Sequence, residues 1–246
     1  MCPAVCVRQA LSQLAAVTKQ TGDHIVPVLV FGDKTDTKYV KVLSDFPALP
    51  AVTACAHLQW DTRTQEIATI FSYAVPAFIN EFQLRGFVDE EGFVRFALII
   101  HGHHSPYLPV FRADGHWHHF CVTWQQENGT WAIYADGKRR ASASGLCAVG
   151  LSAPQAIYGQ GTFIIGQDQD SLGGTFREKE SFSGNITDLH IWQKIFYVCC
   201  MTSWPALQEQ SQGPPEKKGC RIAQSLPHRL EWVSAATITH SFLIVA

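Results

Sequence analysis

Between Ile25 and Trp192 the chain has almost no helical periodicity. It is a succession of short runs rich in Val, Ile, Phe, Tyr and Trp, cut at close intervals by turn residues. Val26–Phe31, Val52–Leu58, Ile67–Tyr73, Phe93–Ile100, His116–Trp124, Thr130–Ala135, Thr162–Gly166 and Asn185–Trp192 read as strands. Asn128-Gly129 and Asp136-Gly137 mark tight turns, because both residues of such pairs tolerate positive φ. Many short strands with frequent turns predict an all-β chain, an antiparallel β-sandwich or jelly roll of lectin-like kind.

The flanks differ. Residues 1–21 read as a leader, helical or disordered, in which Leu11, Leu14, Ala15 and Thr18 form a weak helical stripe. Residues 22–195 form the domain. Residues 196–246 read as a divergent, poorly ordered tail, with the flexible Gly213-Pro214-Pro215 inside a polar stretch.

Lys plus Arg number 19 and Asp plus Glu 21, a formal charge of −2. A nucleic-acid partner is not expected, because neutralising phosphates calls for a basic excess. No run reaches the roughly 18 apolar residues of a membrane span. There are eight cysteines but no CxxC pair, which argues against a zinc ribbon or thioredoxin-type site. Two sequons, Asn128-Gly-Thr and Asn185-Ile-Thr, are glycan acceptors if the chain enters the secretory route. The opening apolar run has no basic segment before it and does not read as a signal peptide.

One loop suggests metal chemistry. Asp168-Gln169-Asp170 places three oxygen-bearing side chains together, and Gly173-Gly174 permits a sharp turn. Calcium takes six to eight oxygen ligands of these kinds. A solvated acidic turn after a strand is the alternative. Among the histidines, His101/His103 and His116/His118 sit at i and i+2 and could each supply half of a zinc site, although spacing alone does not fix four tetrahedral ligands. No GxSxG elbow, HExxH helix or Gly-rich phosphate loop is present, and Asp89-Glu90-Glu91-Gly92 reads as a solvated turn, so an enzyme is not expected.

Five segments in order carry a family resemblance. His119-Phe-Cys121-Val-Thr-Trp124 resembles the pentraxin signature of His, any residue, Cys, any residue, Ser or Thr, then Trp; the pattern's last Ser or Thr is Gln126 here. Val52–Leu58 is similar to the family strand that carries the partner cysteine, and Ile70–Ala74 to the strand after it. Ile164–Gly174 resembles the family's calcium loop, and Ser181–Trp192 the strand that follows. The resemblance implies a concanavalin-like, pentraxin-type jelly roll and a disulfide between Cys55 and Cys121. It also implies two neighbouring Ca²⁺ ions held by an Asp-Asn pair, the acidic loop and two later acidic or amide side chains. In this chain the pair falls on Ile79-Asn80 and the later positions on Arg177 and Glu180. One weakened site is therefore expected, with Asp168, Asp170 and Glu180 as main ligands and Gln169 and Asn80 in support. Gln83 and Arg85 interrupt the stretch that forms the family's apolar pocket wall, so phosphocholine is not the expected ligand.

The function implied is non-catalytic recognition in the extracellular space, of a glycan, a lipid head group or a protein, by a secreted chain able to form a homo-oligomer. The alternative is the N-terminal pentraxin-like module of an adhesion G-protein-coupled receptor, in a shortened form without its membrane part.

Overall fold

The computed structural model describes residues 5–6, 17–21, 24–43, 45–147 and 154–196. Along the chain these form β1 (Val5–Cys6), β2 (Val17–Thr21), β3 (His24–Val30), β4 (Val40–Val42), β5 (Ala51–Trp60), β6 (Ala68–Val75), β7 (Phe78–Val88) and β8 (Phe93–Ile100). They continue with β9 (His103–His104), β10 (Leu108–Arg112), β11 (Trp117–Gln125), β12 (Thr130–Ala135), β13 (Lys138–Ala143), β14 (Thr162–Ile165) and β15 (Gly184–Trp192). One sheet runs β13-β12-β11-β5-β15-β3-β2, with β1 also on β15; the other runs β10-β8-β7-β6-β14-β4, with β9 on β8. The two sheets make an antiparallel β-sandwich of jelly-roll type, as the strand rhythm predicts. Among the described residues no helix is long and apolar enough to cross a membrane.

Period-two alternation decides which side chains fill the sandwich. In β5, Val52, Ala54, Ala56, Leu58 and Trp60 enter the main core, and β11 adds Phe120, Val122 and Trp124. From the opposite sheet Phe96 meets Phe120 at 5.6 Å and Trp60 at 6.5 Å, bridging the layers. Within that sheet Phe71 packs on Phe82 and Phe163 at 5.0 and 5.2 Å.

The intervening residues lie on the outer face. There β11 and β5 place Cys121 directly opposite Cys55, and His119 opposite His57. The cysteines are 4.1 Å apart at Cα and form a disulfide. It sits in a small cluster of its own with Ala132, Tyr134 and Trp192, outside the main core. Trp192 then receives the ring of Phe196 edge-on at 5.0 Å, and Thr53 ties down the same turn by donating to the Lys194 carbonyl and accepting from the Phe196 N–H.

Two readings from the sequence change. Besides β4, β9, β10 and β13, β7 was not among the expected strands, although it spans 11 residues. Gly86 interrupts its apolar pattern, and the structure shows why: a Cβ there would lie 2.8 Å from the Phe96 ring, so the close approach of β7 and β8 excludes any side chain. The leader is the second. Val17–Thr21, including Thr18 of the supposed helical stripe, is a strand paired with β3, and Val5–Cys6 pairs with β15. The β-branched Val17, Thr18 and Thr21 suit a strand, and the free edge of β3 supplies the hydrogen-bond partners that a helix would make internally. Leu11, Leu14 and Ala15, like residues 197–246 of the tail, lie outside the described residues.

Two outcomes follow from the outer face. Opening the 66-residue separation between Cys55 and Cys121 restores denatured-state entropy worth about 4 kcal/mol in the chain-entropy model. The C55A/C121A double variant should therefore melt on the order of 10 °C below wild type under oxidising conditions; an unchanged melting temperature would contradict this. Burial, reinforced by the neighbouring His57, lowers the pKa of His119 from 6.5 to about 4. Below the unfolded value the denatured chain takes up a proton that the folded chain refuses, so this stability is complete above that value and is lost as pH falls. Between pH 7 and pH 5 wild type should lose about 2 kcal/mol more than His119→Gln in denaturant titrations. Parallel pH profiles would show that His119 is not held neutral.

Candidate functional site

The acidic loop leaves the end of β14 through Gly166, whose φ is +88° and where a Cβ would stand 2.1 Å from the Phe31 ring. Glycine is the residue that fits there. The Gly166 N–H donates to the Ile70 carbonyl in β6, and its carbonyl accepts from the Phe182 N–H ahead of β15, so the start of the loop is fastened on both sides.

The loop's amide side chains point inward. Gln167 donates to the carbonyls of Thr35 and Lys38 at 2.6 and 2.9 Å. Gln169 donates to the carbonyls of Ser72 and Thr162, both at 3.0 Å, and its own Oε1 accepts from Gly173 at 2.7 Å. Both are buried. Gln169, expected as a supporting calcium ligand, is thus a brace of the turn.

The carboxylates are paired inside the chain. Asp168 accepts from the Gln83 amide on one oxygen and from the Arg85 guanidinium on the other. Burial raises its pKa above the usual carboxylate value; Arg85 and Gln83 act against that rise, and the nearby Glu180 and Asp170 add to it. Asp170 is held by Arg177 at 2.7 Å. Glu180 is the last residue of a 3-10 turn at Glu178–Glu180, and its buried Oε2 has no hydrogen-bond partner among the described residues. Asn80 is half-buried near the start of β7, with its carbonyl accepting from Gly102; Ile79 beside it is exposed.

The structure therefore brings Asp168, Asp170 and Glu180 close enough to interact, but surrounds them with cations and amide donors of the protein's own. Among the described residues no three acidic side chains bring ligand oxygens within 4.8 Å of one another; the grouping that meets this spacing is Cys55, His119 and Cys121, whose sulfurs form the disulfide. This donor set does not fit a two-calcium centre. Gln83 and Arg85, read from the sequence as polar interruptions of a pocket wall, are also the partners of Asp168, a role that sequence reasoning missed. Their signal was alternation: Glu81, Gln83 and Arg85 fall at i, i+2 and i+4 of one strand and share a face.

The third member of that face meets a histidine. Glu81 is fully buried and accepts from the Tyr158 N–H at 2.5 Å, and His101 Nδ1 lies 2.8 Å from its other oxygen. His101 Nε2 lies 3.0 Å from the Gln155 carbonyl, so both ring nitrogens face acceptors. Burial opposes the charge on this ring most strongly, but the bonds to Glu81 and the Gln155 carbonyl, with the Glu81 charge, together raise the His101 pKa above its ordinary value. His118 is set between Asp114 and Asp136 and lies flat on Phe111 at 4.3 Å. His103 and His116 are exposed. Both histidine pairs read as zinc halves are thus divided between carboxylate partners and solvent.

The two sequons differ in setting. Asn128 is exposed in the β11–β12 turn, whereas Asn185 lies within β15, half-buried, and donates to Gln59 at 2.7 Å.

Comparison with known proteins matches this geometry. Residues 27–199 match the model of the Pentaxin family. The human adhesion G protein-coupled receptor D2 is 48% identical over 167 residues, 68% of this chain and 17% of the receptor. Human neuronal pentraxin-1 is 35% identical over 188 residues, 76% of this chain and 41% of that protein. The chain thus spans well under half of the length of either relative. Among solved structures, the heptameric SAP-like pentraxin of Limulus polyphemus superposes with a TM-score of 0.64 at 26% identity, over 72% of this chain and 79% of that one. A sandwich of this topology, a cysteine bridge between facing strands and a glycine-bounded acidic loop, matched over 173 consecutive residues, place the chain in the pentaxin family.

Proposed function

We propose that this chain is a non-catalytic recognition and adhesion module of the extracellular space. The observation that carries this reading is the state of the acidic loop. Its first residue, Gly166, is held by two backbone hydrogen bonds, and Asp168, Asp170 and the Gln167 and Gln169 amide groups are engaged by the chain itself, so it offers a fixed surface and no activated nucleophile or acid–base pair. The ligand is a glycan, a lipid head group or a protein. The extracellular setting is supported by the disulfide, which belongs to oxidising compartments, and by the exposed Asn128, which we take as the better glycan acceptor of the two. Self-association is part of the reading, since the Limulus relative is heptameric.

A second reading is favoured by the 48% identity to an adhesion receptor: the chain corresponds to the pentraxin-like module of such a receptor. Transcripts whose coding sequence runs on past Ile195 into a hydrophobic bundle would support it.

Calcium has a small part. Asp168, Asp170 and Glu180, with Asn80 and the loop around Gln169, bind an ion weakly, on the order of 10⁻⁴–10⁻³ M. An entering ion must displace a guanidinium from Asp168 or Asp170. Phosphocholine is not the ligand in this reading, because Gln83 and Arg85 make the ground beside the loop polar.

Two experiments test these statements. Screening the full chain against glycan, lipid and cell-surface protein arrays, with calcium and with EDTA, should give binding that EDTA leaves largely intact. Silence on all arrays would sink the recognition reading. In calorimetric titration, Ile79→Asp should tighten calcium binding by adding a carboxylate, and Arg177→Glu should tighten it more by also removing a cation. If neither variant moves the affinity, the alignment of this loop with the family's calcium loop is wrong.

A further inference from the structure

We infer that Arg85 takes over the structural work of a cation in this loop, locking it to the sheet so that it folds without metal. The inference takes Gly166–Gly174 as the counterpart of the family's calcium loop; it does not depend on which ligand the module binds.

The geometry carries the argument. Asp168 is the most enclosed acid of the loop, with its side chain 4% exposed, and the Arg85 side chain beside it is 15% exposed. A carboxylate so far from water needs a compensating charge with hydrogen bonds to both oxygens. Arg85 supplies the charge on one oxygen, and Gln83 supplies a donor on the other. Both residues project from the same face of β7, an interior strand between β6 and β8, so the donors are positioned by the sheet. Because that face is defined by the i, i+2 spacing of Gln83 and Arg85, a planar guanidinium and an amide arrive together on one carboxylate.

The rest of the loop is also self-sufficient. Gln167 and Gln169 spend their amides on backbone carbonyls of neighbouring segments. Arg177 neutralises Asp170 from an exposed position, where an ion pair contributes little. Asp168, Asp170 and Glu180 with Arg85 and Arg177 sum to a charge of −1, and the Lys41 ammonium stands close to Gly173. A divalent ion added without displacing either arginine would invert that sum to +1 and set like charges together in an enclosed site.

The test is thermal melting of the full chain, folded under oxidising conditions, in excess EDTA and in millimolar calcium. Wild type should melt within about 2 °C in the two buffers, the shift allowed to a weak site. A larger loss of melting temperature in EDTA overturns the inference. Arg85→Leu should melt lower than wild type in EDTA by on the order of 10 °C, with part of the loss restored by calcium, while Arg85→Lys should fall less. An Arg85→Leu melt equal to wild type also overturns it. Should Arg85→Leu not fold, trypsin cleavage of wild type after Arg177 and Lys179 decides. Equal cleavage rates in EDTA and calcium support a loop closed by Arg85, and faster cleavage in EDTA refutes it. The array result is read separately, so binding that persists while wild type proves EDTA-sensitive would remove this inference and leave the recognition reading standing.

Discussion

The register between β5 and its two neighbours underlies the rest of the molecule. β5 is paired with β11 along nine consecutive residues and with β15 on its other edge. In a strand, a slip of one residue exchanges the buried and exposed faces. A slip here would send Val52, Ala54, Leu58 and Trp60 to solvent and bring His57 and Gln59 into the core. The cost of exposing that apolar surface, at roughly 25 cal/mol per Å², holds the register. The register in turn puts Cys55 opposite Cys121. The disulfide thus secures an alignment already selected by burial, and it does so from the outer face, where it displaces no core side chain.

The same alternation on the opposite sheet has a different consequence. On β7, Phe82 and Leu84 face the core while Glu81, Gln83 and Arg85 share the other side, where each meets a partner delivered by a distant segment. Glu81 receives His101 and the Tyr158 backbone; Gln83 and Arg85 receive Asp168. A row of polar side chains on an interior strand is stable when each group is paired. This row binds two loops to the sheet, and it accounts for the acidic loop having a definite shape while its carboxylates are turned toward the protein's own donors.

The site is therefore organised differently from what the ligand-bearing residue types alone suggest. Three acids and an amide in a short stretch read as a calcium set. Whether such a set coordinates an ion depends on what stands opposite it, and here that is a guanidinium. Charge neutralisation by a residue of the chain costs no binding entropy and needs no ion from solution.

The fold class was legible in the sequence because its determinants are local. Strand-forming runs, Asn-Gly and Asp-Gly turns and alternating apolar residues state their preference within a few residues, and Phe93–Ile100 and Thr130–Ala135 fall where they were expected. The positions of Cys55, Cys121 and the acidic loop were legible through their family resemblance. What only the tertiary structure decided was pairing across long separations: Arg85 with Asp168, Glu81 with His101, and Val17–Thr21 with the edge of β3. Gly86 hid a strand because the reason for a glycine there is the ring of Phe96 on the next strand. Local preference is encoded in neighbouring residues, whereas the partner of a buried charge is set by which strands the sheet brings side by side, and that depends on the burial of the whole core.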